Sequence, residues 1–121
     1  MPVQNFKELM VWQKAIRLVV GIYTLVQDFP KNEMYVLSDQ MRRAAISIPS
    51  NIAEGYERKS VNEDIHFLSI ARGSKAELET QLHICGELGF GNKEKLNEVH
   101  ALCLEVGKML NRMITTLSSR P

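Results

Sequence analysis

Arg43, Ser47, Asn51 and Glu54 recur at steps of three and four residues, so a helix would align them on one stripe. Ser74, Glu77 and Gln81 repeat that pattern thirty residues later. These side chains offer acid–base, hydrogen-bonding and ion-pairing chemistry. Glu54 and Glu77 are a conceivable carboxylate pair for general acid–base work. That chemistry also needs a nucleophile, a histidine or a bound electrophile nearby, and none converges on them in the sequence. His66, His83 and His100 share no ligand spacing and read as solvated surface residues. Ala53-Glu54-Gly55-Tyr56 lacks the repeated glycines of a phosphate cradle. Cys85 and Cys103 fall on apolar helical positions and read as reduced core thiols. No catalytic group, metal set or cofactor motif is assigned.

The polar stripes sit inside apolar rhythms. Met41, Ala44, Ala45, Ile48 and Ile52 mark a buried helical face around the first, with Pro49 in its middle. Phe67, Ile70, Ile84 and Leu88 flank the second. Two sequential antiparallel helices bring these middles together. The expectation is a buried or half-buried polar layer of Arg43, Ser47, Asn51, Glu54, Ser74, Glu77 and Gln81, with Arg43 and Glu77 its sharpest pair. A buried carboxylate requires such a partner, because an unpaired one costs several kcal/mol. Two readings fit the layer: a device that fixes register, or a site for a ligand or partner.

Four helices must position these groups. The first spans about residues 6–28, with Leu9, Trp12, Ile16, Val19, Tyr23 and Val26 as its seam. Val11, Leu18 and Leu25 form a surplus stripe on it, expected to meet another subunit or partner. Phe29-Pro30 ends that helix, because the residue before proline disfavours the α conformation. The second spans about 33–58, with a kink at Pro49 where the ring removes a backbone donor and crowds the carbonyl of Ala45. Ser60-Val-Asn-Glu63 reads as a capping box opening the third, 61–88, and Gly89 closes it. Asn92 caps the fourth, 93–117, whose Leu96, Val99, Cys103, Val106, Leu110, Met113 and Leu117 keep heptad spacing. No segment alternates with period two. The fold class is all-α: one up-down-up-down four-helix bundle over residues 1–121, with a kinked second helix.

The chain has 121 residues and a net charge of +1, which gives no global pull toward nucleic acid. Its distribution is uneven. Residues 60–90 sum to −3 and residues 91–121 to +2. Up-down topology gathers the start of the first helix and the ends of the second and fourth. Lys7, Lys14, Arg58, Lys59, Lys108 and Arg112 therefore share one end, near Arg120 but interspersed with Glu8, Glu57, Glu63 and Asp64. That end is either a solvated mixed-charge surface or an anion-binding face, most simply for RNA backbone. Copies arranged in a ring would sum such ends. No charged segment followed by an apolar run opens the sequence, so no signal peptide is expected. No apolar run is long enough to span a bilayer, so no membrane partner is expected either, and the compartment is cytoplasmic.

Phe6-Lys-Glu-Leu-Met-Val-Trp-Gln-Lys-Ala15, Phe29-Pro30, Gln40 through Gly55 and Ile70 through Leu82 together resemble the four-helix-bundle proteins encoded in bacterial 23S rRNA intervening sequences. The resemblance is strong over about residues 5–90 and rests on pattern alone in the fourth helix. It implies a bacterial cytoplasmic bundle assembled as a homopentamer, and no enzymatic activity. The chain is also similar to the accessory variability determinant of diversity-generating retroelements, which implies RNA or a reverse-transcriptase-like nucleoprotein as partner. The reading is a non-enzymatic homo-oligomer that binds RNA or a nucleoprotein through a basic face formed on assembly. The alternative is a protein-interaction scaffold without nucleic-acid contact.

Overall fold

In the computed structural model, residues 4–33 and 36–120 are described. Four helices, α1 (Met10–Val26), α2 (Leu37–Tyr56), α3 (Val61–Leu88) and α4 (Lys93–Ser118), pack in chain order around one core, and no strand occurs among the described residues. None of these helices is long and apolar enough to cross a membrane.

The third and fourth helices begin and end where the residues dictate. The Oγ of Ser60 accepts from the Glu63 amide at 3.1 Å, satisfying a donor at the start of α3. The expected capping box closes differently, because Ser60 Oγ itself donates to the Glu63 carboxylate. Gly89, at φ 71°, stops α3 in the left-handed conformation. The Phe90 amide then reaches back to the Cys85 carbonyl and the Gly89 amide to that of Gly86, a Schellman closure. Asn92 caps α4 through the Lys95 amide at 2.9 Å.

The first two helices start later than their periodicity suggests. Asn5 caps a single 3₁₀ turn, Phe6–Glu8, and Leu9 is extended, so α1 proper begins at Met10. Lys31–Glu33 forms another single turn. The expected second helix also took in Met34 and Tyr35, which lie outside the described residues. Pro49 is buried, and α2 runs on through it as one helix.

The buried face of α1 is Val11, Ala15, Leu18, Ile22 and Leu25. This corrects the expected assignment. Val11, Leu18 and Leu25 are core, while Trp12, Ile16 and Val19 are half-buried and Tyr23 is exposed. Both stripes are apolar, and only the positions of α2 and α4 decide between them. On α3 the core face is likewise displaced, to Leu68, Ala71, Leu78, Leu82 and Cys85, leaving Ile70, Ile84 and Leu88 exposed. In α4 the heptad positions Val99, Cys103, Val106 and Leu110 are fully buried. Each buried Leu or Ile contributes roughly 1.5–3 kcal/mol.

The most extensive contact is between α2 and α3. Gly55 makes their crossing close. A Cβ there would lie 2.7 Å from Asp64 Oδ1, 3.0 Å from Phe67 Cβ and 3.2 Å from the Asp64 carbonyl. Gly73, in contrast, faces open space. Gly55→Ala should therefore destabilise the protein by roughly 1–3 kcal/mol through overpacking. Gly73→Ala should stabilise it by about 0.5–1 kcal/mol through helix propensity. Thermal and urea unfolding of the two variants checks the opposite signs.

Candidate functional site

Pro49 denies Ala45 its usual helical donor, and polar side chains gather one turn away. Asn51 Nδ2 donates to the Ser47 carbonyl at 2.8 Å and to Ser47 Oγ at 3.0 Å, so the carbonyl served is that of Ser47 rather than Ala45. Ser74 Oγ, from α3, donates to the same Ser47 Oγ at 2.8 Å. Ser47, Asn51 and Ser74 are half-buried and form the polar junction between the two helices.

The rest of the expected layer lies elsewhere. Arg43, Glu54 and Glu77 are exposed, and Arg43 and Glu77 form no ion pair. Glu54 binds Arg58, just past the end of its helix, at 2.7 Å. The physical reason is rotation. With Leu78 and Leu82 turned to the core, Glu77 is carried outward beside Ile70 and Ile84. Water then solvates both charges, which removes the need for a partner. Gln81 is the opposite case: it is 5% exposed and its Oε1 has no hydrogen-bond partner among the described residues.

A second polar feature had little to announce it in the sequence. The aliphatic stem of Lys75 crosses Gly107 of α4, where an added Cβ would lie 2.5 Å from Lys75 Cε. Its ammonium binds Glu79 at 2.6 Å, and that hydrogen bond holds the Glu79 carboxyl below its ordinary range. Cys103 donates weakly to the Lys75 carbonyl. The one signal was a mid-helix glycine with no turn to make. Burial pushes Cys85 and Cys103 up to about 11, so both stay neutral thiols. His83 and His100 line one shallow cavity beside Glu79, while His66 stacks edge-on against Phe67. No group of three or more His, Cys, Asp or Glu among the described residues is arranged for a metal.

The cations assigned to the basic end divide into two sets. Lys14 is tied to Glu105 across α1 and α4. Arg58 binds Glu54 and lies over the Phe67 ring at 4.7 Å. Lys7, Lys59, Lys108 and Arg112 are exposed and take part in no ion pair among the described residues. Arg112 and Arg120 border an open cavity with Tyr56 and Asp64. Burial raises the Asp64 carboxyl above its usual value, against the pull of Arg120.

The family described as 23S rRNA-intervening sequence protein matches residues 7–112, nearly the whole bundle. The chain belongs to that family. Among solved structures, this intervening-sequence protein is similar to a crystal structure from Bacteroides thetaiotaomicron, described as a protein with unknown function from the S23 ribosomal protein family. The two share 25% identity and a TM-score of 0.79, covering 87% of this chain and 95% of the other. No curated protein matches the chain.

For this intervening-sequence protein, Glu77→Ala should change stability by less than about 0.5 kcal/mol, as expected for an exposed charge. Gln81→Met should be neutral or stabilising by up to about 1 kcal/mol, because it removes an unpaired buried acceptor. Urea titration of both variants tests the burial pattern.

Proposed function

We propose that the chain is a non-enzymatic bundle whose identical copies assemble and bind RNA backbone with their combined cationic ends. The observation that carries this reading is the set Lys7, Lys59, Lys108 and Arg112. Each is exposed and outside any ion pair among the described residues; Lys7 lies in the turn before α1, Lys59 in the connection between α2 and α3, Arg112 in the last two turns of α4 and Lys108 about one turn further in. Charges without local partners keep their full attraction for phosphate, whereas Lys14 and Arg58 are already engaged. The net charge of +1 makes a lone copy a weak binder, so assembly is part of the proposal. Structured ribosomal RNA is the first ligand class to test. A reverse-transcriptase-like nucleoprotein is the second, and the cytoplasm is the compartment proposed.

Support for assembly comes from the outward face of α1. Val20 is 61% exposed, Met10 62% and Tyr23 43%, and Ile46 of α2, 42% exposed, shares a cavity with Trp12, Ile16 and Val19. Ile16 lines open cavities on both flanks of that helix, about 500 Å³ toward α4 and 290 Å³ toward α2. Water against this much clustered apolar surface is unfavourable, and a second copy covering it would remove the cost. The same face favours the second reading, a protein scaffold without RNA. Pentamer is the subunit count proposed.

Two measurements separate the parts. Lys59→Glu with Lys108→Glu should weaken binding to structured RNA and flatten its dependence on salt, by a slope of roughly 0.7–0.9 for each phosphate no longer neutralised. Unaltered affinity and slope in the double variant would remove these residues from the interface. Val20→Glu with Ile46→Glu should reduce the mass in light scattering toward the 13.8 kDa of one chain while helicity is retained. An undiminished mass would place the subunit interface on another face.

A further inference from the structure

The cavity at the cationic pole combines three chemistries that simple phosphate binding does not need. It has a volume of about 370 Å³, within the roughly 300–1,000 Å³ of small-ligand sites. Leu9 and Met113 give it an apolar wall, and Tyr56 adds a ring. Arg112 and Arg120 supply guanidinium donors, neither in an ion pair among the described residues. Asp64 supplies a half-buried carboxylate. The position of that carboxylate is set by the fold. It comes from the first turn of α3 and lies against Gly55, where any side chain would displace it.

A free phosphate would satisfy the arginines and be repelled by Asp64. An apolar molecule would leave Arg112 unanswered and strip water from Arg120 and Asp64. A ligand matching the whole cavity carries an anionic group, a flat apolar body and N–H donors on one edge. A nucleotide has all three, and guanine fits best because its Watson–Crick edge presents two adjacent N–H groups to a single carboxylate. We propose that this cavity takes one unstacked guanosine nucleotide of a single-stranded RNA segment, with its phosphate on Arg112 and Arg120, its base edge on Asp64 and its ring against Tyr56. The inference rests on the RNA-binding reading and sharpens it. Lys7, Lys59 and Lys108 position the backbone without regard to sequence, and the cavity adds a base-selective interaction.

The test is equilibrium binding of the full chain to guanosine 5′-monophosphate, uridine 5′-monophosphate and inorganic phosphate, alongside a structured RNA. The guanosine nucleotide should bind at least roughly tenfold tighter than the uridine nucleotide. Asp64→Asn keeps the size of the side chain but turns a donor toward the base, so it should abolish that preference while phosphate-dependent binding persists. Thr116→Trp fills the cavity from its exposed wall and should block both nucleotides with unchanged helicity. Equal affinity for the two nucleotides, or binding indifferent to Thr116→Trp, overturns the inference. If wild-type protein still binds RNA in a salt-dependent way in that case, the cavity assignment alone has failed. If wild-type protein binds neither RNA nor nucleotide, both readings fall.

Discussion

Where α2 crosses α3, the backbone at Gly55 lies against Asp64 and Phe67, and further along the pair Ser74 donates to Ser47. These two points lock the angle and register of the hairpin on which the bundle is built. Small residues make the approach possible: Ala44, Ala45 and Gly55 on one helix, Ala71 on the other, all buried. Once the hairpin is set, the heptad face of α4 and the Val11–Leu25 face of α1 have one groove each to fill. The same crossing delivers Tyr56 and Asp64 to the pole where α4 ends, beside Arg112 and Arg120. The close approach at Gly55 thus sets the chemistry at that end.

Proline in α2 belongs to the same arrangement. A lost backbone hydrogen bond would ordinarily weaken a helix by about 3 kcal/mol. Here Asn51 donates to Ser47 and Ser47 accepts from Ser74, so the turn around the proline is tied to its neighbour. The segment from Gln40 to Gly55 therefore carries its unusual mixture of polar and apolar residues chiefly for packing. Tyr56, directly after it, lines the candidate binding cavity.

Much of this was legible in the residues. Ser60, Gly89 and Asn92 act locally through hydrogen bonds to backbone groups a few residues away, so they fix the bounds of α3 and α4 without tertiary context. The heptad of α4 has one apolar face, which left no choice of rotation. In α1 two apolar stripes compete, and the winning one depends on where α2 and α4 lie. In α3 the stripe through Phe67, Ile70, Glu77 and Ile84 was as regular as the true core face one position away. That shift is what moved Glu77 into water and dissolved the expected pair with Arg43. Lys75 over Gly107 is a long-range juxtaposition with only a glycine to announce it. Tyr56 and Asp64 share a cavity with Arg112 for the same reason: they are close in space and distant in sequence.

On the proposed reading, copies of this bundle assemble through the outer face of α1 and present to RNA the cations that form no ion pair among the described residues. Binding of the purified protein to structured RNA across a salt series, with light scattering on the same sample, tests it most directly. The expected result is a particle several times the 13.8 kDa chain mass whose affinity falls steeply as salt rises. An absence of binding at low salt, or binding by a single chain, would contradict it.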